Sequence, residues 1–263
     1  MSTLTLAARD SATMLRRNLL HARRYPSLTL NLLLTPVMLL LLFVYILGDT
    51  MSAGIGGGTA DRSAYLAYVV PGLLLMTIGS TTIGTAVSVS NDMTEGIIAR
   101  FRTMAIHRPS VLIGHVAGSV LQCVASVVLI GAVAVAIGFR STDATVLEWL
   151  AAFGLLTLFA LALTWIAVGM GLVSPNAEAA SNSAMPLILL PLLSSAFTPV
   201  HSMPGWFQPI AQYQPFTPAI ETLRGLLLGT EIGNNGWLAV TWCLALTALG
   251  YLWATAKFNA DPK

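Results

Sequence analysis

The sequence predicts an all-α integral membrane protein: six transmembrane helices, an N-terminal interfacial helix, a short cytoplasmic helix between the second and third spans, and outer re-entrant helices before the last span. Three observations lead there. Only 9% of the 263 residues are Asp, Glu, Lys or Arg and 56% are hydrophobic, whereas soluble domains carry roughly 25% charged residues. Mean hydropathy is +0.77. Apolar runs long enough to cross a hydrocarbon core of about 30 Å recur along the chain.

The runs fall near Leu28 to Leu47, Ala67 to Val89, Val111 to Phe139, Trp149 to Val173, Asn182 to Val200 and Trp237 to Ala256. None holds an Asp, Glu, Lys or Arg in its interior, as expected when a charge at the centre of a spanning helix costs about 2.5–3.5 kcal/mol. Together they leave no length for a separate soluble domain, so residues 1–263 read as one membrane domain. The net charge of +2 is too small to attract nucleic acid. Cys123 and Cys243 both lie inside apolar runs, which makes them small core residues rather than a disulfide.

Orientation follows from the basic residues. With a cytoplasmic N-terminus, Arg9, Arg16, Arg17, Arg23, Arg24, Arg100, Arg102, Arg108, Lys257 and Lys263 fall inside, and Arg62, Arg140 and Arg224 outside. That asymmetry puts both termini, and the loop over residues 91–109, in the cytoplasm of a cell that carries the chain in its cytoplasmic membrane.

Residues 1–27 are basic and precede a run too long for a signal peptide, with no small-residue cleavage site at Gly48-Asp49. Leu4, Ala8, Ala12, Leu15, Leu19 and Ala22 share a helical face while Arg9, Arg16, Arg17 and Arg24 gather on another. This describes an interfacial amphipathic helix on the inner leaflet, or equally a basic tail that sets topology. The following outer loop, GDTMSAGIGGGTADRS, is Gly-rich and flexible.

The loop NDMTEGIIARFRTMAIHRP, Asn91 to Pro109, is the polar island of the chain. Ile97, Phe101 and Met104 follow helical spacing, Arg100 and Arg102 project elsewhere, and Pro109 limits the helix. A short helix with one apolar face suits a groove on a partner protein; a solvated loop obeying the positive-inside rule fits the composition too.

In the region 201–236, Pro204, Pro209, Pro215 and Pro218, with Pro199 just before, forbid one continuous helix. Ile210, Phe216, Ile220, Leu223, Leu226 and Leu227 are too apolar for a free loop. Short helices dipping into the outer leaflet and covered by protein reconcile the two. Glu221 and Arg224, three apart, can pair there. Trp206 and Trp237 suit an outer aromatic belt. The segment serves either as an outer gate and exit wall or as a lid that seals a dimer.

Chemistry within the chain is narrowly bounded. A phosphate-binding loop needs G-x-x-x-x-G-K-[ST], and neither lysine, Lys257 or Lys263, has a preceding Gly in that frame. Ion-coupled carriers place acidic or His chains in their spans, and the spans offer only His115, near the inner end of the third, as a satisfied interfacial His. His201 with Ser194, Ser195 or Ser202 lacks a G-x-S-x-G setting for hydrolysis. Gly114-x-x-x-Gly118, and Ala167, Gly169 and Gly171, permit close helix approach. No catalytic, cofactor-binding or metal site is expected in this chain.

The stretch NDMTEGIIARFRTMAIHRPSVLIGHV resembles the inner loop of the ABC-transporter permeases of the type-2 superfamily, with Glu95-Gly96 as the matching core. It departs at Ile97, where Thr is usual, and at Ala99, where a second acid is common. MPGWFQPIAQYQPFTPAIETLRGLLLG, Met203 to Gly229, is similar to the segment before the last span of the daunorubicin-resistance-type drug and lipid exporters of that superfamily. The resemblance covers essentially the whole chain. It implies a permease half that pairs with a second permease, identical or homologous, and with two ATPase subunits that bind ATP and Mg. It also implies an inner helix that transmits motion: Glu95 and Gly96 at its start, Phe101 in an ATPase groove, Arg100 and Arg102 against acidic groups. On the outer side it marks Pro204, Trp206, Gln208, Glu221 and Arg224. The cargo expected of spans this apolar is hydrophobic or amphipathic, a drug, lipid or glycolipid. An ion-coupled carrier or a non-transporting scaffold is the alternative.

Overall fold

The computed structural model describes residue 34 and residues 36–46, 62–95, 108–141 and 144–259. The expected interfacial helix over 1–27, most of the first apolar run and the centre of the cytoplasmic loop lie outside the described residues. Every regular element among those described is helical: α1 Pro36–Ile46, ending in a π-turn at Leu42–Ile46; α2 Arg62–Thr94; α3 Arg108–Ile137; α4 Val146–Val173; α5 Ala177–Ala184; α6 Pro186–Leu192; a 3₁₀ turn Val200–Ser202; α7 Gln208–Tyr213; α8 Phe216–Leu228; and α9 Asn235–Asn259.

Four of these, α2, α3, α4 and α9, are long and apolar enough to cross a membrane. They coincide with the second, third, fourth and sixth runs. At 33 residues, α2 is about 50 Å long, more than a hydrocarbon core of about 30 Å requires. Its polar C-terminal turns therefore extend past the apolar zone.

Local chemistry fixes the ends. Thr145 caps α4 through a capping box: its hydroxyl accepts from the Glu148 N–H, and the Glu148 carboxylate accepts from the Thr145 N–H at 2.6 Å. Ser174 ends α4 in extended backbone, the conformation imposed on a residue before proline, here Pro175. Asn176 then caps α5, accepting from the Ala179 N–H at 2.8 Å. Gly229, at φ 72°, closes α8 in the left-handed conformation with its N–H on the Gly225 carbonyl at 3.0 Å.

The core is organised around α2 and α4, both mostly buried, while α3 and α9 are buried over a smaller share of their length. Helix α3 runs antiparallel to α2: Asp92 meets His115, Thr85 meets Ser119 and Thr81 meets Cys123. Helix α9 runs parallel to α4, with Gly250 on Trp165 and Gly169 on Trp253. The fifth run is not one continuous helix: it lies in two short helices that lean antiparallel on α2. A Cβ at Gly79 would lie 2.4 Å from the Leu187 carbonyl oxygen, and one at Gly72 would lie 2.5 Å from Ala196 Cβ. The cause of the break is covalent. Pro186 and Pro191 lack an N–H and their rings crowd the preceding turn, so the Leu187 carbonyl has no helical donor at position 191 and turns toward the bare backbone of Gly79.

The buried side chains form a large cluster running from Tyr65, Val69 and Leu73 through Phe159 and Ile130 to Phe216, Ile220 and Leu223. A smaller cluster lies at the other end: Val89, Leu112, Val116, Trp165, Val168, Ala254 and Phe258.

Candidate functional site

Two polar sites lie in this apolar bundle, near opposite ends of α2. The first is built from the backbone outward. Pro71 sits inside α2 and removes the N–H that would bond the Ala67 carbonyl, loosening the turn that contains Tyr68. Onto this turn α8 lays Arg224, which is buried. Its Nε and Nη2 donate to the Tyr68 carbonyl at 3.2 and 3.0 Å, and Nη2 also donates to the Ser195 carbonyl at 2.6 Å. Nη1 donates to Glu221 Oε1 at 2.6 Å. The guanidinium lies 3.6 Å from the centroid of the Tyr68 ring, and the Tyr68 hydroxyl donates to the same Ser195 carbonyl at 3.0 Å.

A buried cation is costly unless its donors are met and its charge is balanced. Here the planar fork of arginine meets carbonyls of two segments, one carboxylate and one aromatic face; a lysine cannot do this. Three elements are thereby clamped: α2, the turn after α6, and α8.

Secondary ties extend the clamp. The Ser195 N–H donates to Thr217 Oγ1 at 3.3 Å, and the Thr217 hydroxyl donates to the Ala211 carbonyl. Gln214 Nε2 donates to the Leu193 carbonyl at 2.6 Å, and Trp242 Nε1 to the Tyr213 carbonyl at 2.9 Å. Phe159 packs edge-on against Phe216 at 5.0 Å.

Of the residues marked in this region by sequence, the structure brings Glu221 and Arg224 together. Gln208 holds the preceding loop, its Nε2 donating to the Met203 carbonyl at 2.9 Å. Pro204 shapes the turn into α7 by accepting from the Phe207 N–H at 2.8 Å and the Gln208 N–H at 3.2 Å. Trp206 is 76% exposed and meets Phe207 edge-on. Tyr68 was not singled out from sequence, and Ser195 was weighed only as a hydroxyl beside His201; the carbonyls that both lend to Arg224 leave no trace in side-chain identity. Pro71, six residues before Thr77 in an otherwise unbroken apolar run, was the available signal.

The second site lies at the C-terminal end of α2. His115 Nε2 is 3.0 Å from Asp92 Oδ2, and both side chains are buried. Thr85 donates to Ser119 Oγ at 2.8 Å seven residues further into the bundle. Beyond Asp92 the helix closes at Thr94, with the Glu95 N–H on the Asn91 carbonyl at 2.9 Å. Glu95 itself is exposed. Gly96, Arg100, Phe101 and Arg102 lie outside the described residues. The partnership of Asp92 with His115 was not read from sequence; it requires the antiparallel register of α2 and α3, in which residues equally far from the loop centre face each other.

Among the described residues there is no group of His, Cys, Asp and Glu suited to a metal ion. A small apolar cavity of about 30 Å³ is lined by Pro36, Leu39, Leu73, Met76, Ser80 and Ile188. Nothing in either polar site presents a nucleophile with a base.

A protein-family model described as ABC-2 type transporter matches residues 10–228. The daunorubicin resistance ABC transporter permease protein DrrB1 of Streptomyces coeruleorubidus is 30% identical over 227 residues, covering 85% of this chain and 77% of that protein. The probable doxorubicin resistance ABC transporter permease protein DrrC of Mycobacterium tuberculosis is 23% identical over 224 residues, covering 82% and 79%.

Proposed function

This chain belongs to the ABC-2 type transporter family, and from that premise we propose that it is the membrane-spanning permease subunit of an ATP-driven exporter. Its cargo is a hydrophobic or amphipathic molecule of the kind named for its relatives, daunorubicin or doxorubicin, or a lipid of similar character. The single observation that carries the reading is the match to such permeases along more than four-fifths of the chain. The apolar spans fit it, since they offer no charged pocket for an ionic cargo.

The chain crosses the cytoplasmic membrane six times in this reading, with both termini in the cytoplasm. The first crossing includes α1, and the fifth is the broken pair α5 and α6, whose antiparallel course along α2 supports a return across the bilayer. ATP and Mg belong to two separate ATPase subunits, and a second permease, identical or homologous, completes the pathway. The segment between α2 and α3 is the coupling element: Glu95 and Gly96 open it, Phe101 enters a groove on the ATPase, and Arg100 and Arg102 meet acidic groups there. At the opposite end, the 201–236 segment forms the outer gate or exit wall, with Glu221 and Arg224 holding it to α2, Gln208 and Pro204 shaping its approach, and Trp206 facing lipid.

A tagged chain drawn from its native membrane in mild detergent tests this directly. Co-purification of an ATPase subunit is expected, and Phe101→Ala should leave the permease in the membrane while weakening that association by about tenfold, the scale of a buried aromatic anchor worth 1–2 kcal/mol. Recovery of the chain without any nucleotide-binding partner would refute the assignment, as would transport that proceeds without ATP and collapses with a proton uncoupler.

A further inference from the structure

The Asp92–His115 pair has no part in the proposed function so far, yet it is the one buried acid–imidazole contact among the described residues. Its place is specific. Asp92 is two residues before the end of α2 and His115 seven residues after the start of α3, so the pair joins the two stems of the coupling segment just inside the bundle. The Thr85–Ser119 hydrogen bond repeats the tie two helical turns deeper. Around it, Val89 of α2 and Leu112 and Val116 of α3 pack with Trp165 and Val168 of α4 and with Ala254 and Phe258 of α9.

An apolar contact between two helices is nondirectional and lets them slide; a buried carboxylate held at 3.0 Å by an imidazole N–H fixes register. Resting on the exporter reading, the geometry points to Asp92 and His115 as positioning residues that make the inner ends of α2 and α3 move as one body. Displacement of the coupling segment then reaches α2 undivided. From Asp92 to Tyr68, α2 carries it through 24 residues, about 36 Å of helix, to the carbonyl held by Arg224. Without the bridge, the two stems yield independently and ATP hydrolysis moves the loop but not the far end.

The test separates positioning from mere space-filling. Replacing both members of a buried pair with apolar side chains of similar volume is often neutral or stabilising, whereas removing one takes a contact from the other. Daunorubicin uptake per ATP hydrolysed is measured in inside-out vesicles bearing the native complex, for wild type, Asp92→Leu/His115→Leu and His115→Gln, the last keeping an N–H donor for Asp92. The bridge predicts that the double variant assembles with the ATPase and hydrolyses ATP, but that its uptake per ATP falls about tenfold, a coupling loss of the usual allosteric size. His115→Gln should stay near wild type. Wild-type uptake per ATP in the double variant would overturn the inference.

A second measurement does not depend on that variant. Spin labels at Thr94 and Ile113, both exposed, should report one separation with and without ATP in an otherwise native complex. A separation that changes between the two states would overturn the inference. Absence of ATP-driven uptake in wild type would instead refute the exporter reading and is read separately.

Discussion

The two ends of α2 solve one problem in different ways. Near its N-terminus a single buried guanidinium is bonded to backbone carbonyls of α2 and of the turn after α6, to Glu221 and to the Tyr68 face. Near its C-terminus two side chains hold one another, Asp92 and His115, within an apolar cluster. The carbonyl acceptors of the clamp cannot be removed by substitution, because any residue at positions 68 and 195 supplies the same oxygen; its side-chain specificity resides in Arg224, with the Tyr68 ring and hydroxyl and the Glu221 carboxylate around it. A side-chain pair can be broken, or replaced in concert, from either side. The first design suits an end that must stay assembled, the second an end whose stiffness is adjustable.

The contrast can be broken most severely at the clamp. Arg224→Ala removes the only cation in the site, strands the Glu221 carboxylate, takes both guanidinium donors from the Tyr68 carbonyl and leaves the Ser195 carbonyl with the Tyr68 hydroxyl alone. A loss of about 3–5 kcal/mol is expected, large against a total stability of about 5–15 kcal/mol. It should appear as sharply reduced folded permease in the membrane and a lower unfolding midpoint in detergent. Arg224→Lys should not restore it, because an ammonium cannot span both carbonyls and the carboxylate.

The opposite end should respond less and differently. His115→Leu takes the imidazole away from the buried Asp92 carboxylate and should cost about 1–3 kcal/mol in the same unfolding assay. The cost should largely vanish when Asp92→Leu is added. No such paired rescue is available to Arg224, whose principal partners are main chain. If Arg224→Ala proves milder than His115→Leu, the comparison is inverted.

The smallest effect belongs to Trp206. With 76% of its surface exposed, Trp206→Ala should shift stability by no more than about 0.5 kcal/mol. A larger loss of folded protein would mean that the aromatic is covered by a neighbour in the membrane.

Much of the fold was legible because a bilayer imposes a length on apolar runs. Positions 67–89, 111–139, 149–173 and 237–256 each fall in a helix whose ends lie within a few residues of the predicted bounds; α2 and α9 outrun them at both ends, since polar turns such as Asn91–Thr94 continue the helix past the apolar zone, whereas α3 stops at Ile137. The break in the run over 182–200 was not read, because hydropathy weighs Pro186 and Pro191 as merely neutral, whereas their missing N–H groups divide the stretch between α5 and α6. Glu221 and Arg224 were legible as partners through helical spacing alone. The other half of that site was not, because Tyr68 lies 156 positions away from Arg224 and the carbonyl it lends to the guanidinium is common to all residues. Asp92 and His115 were visible individually, but their meeting depends on how α3 folds back on α2, a register that the intervening loop does not encode in any local signal.

The most direct measurement is ATP-driven uptake of daunorubicin into inside-out vesicles made from membranes that contain this chain with its native partners. Uptake that requires hydrolysable ATP, persists with a proton uncoupler and disappears when the chain is deleted is the result expected of an exporter permease. Uptake unchanged by deletion, or driven by the proton gradient in the absence of ATP, would contradict it.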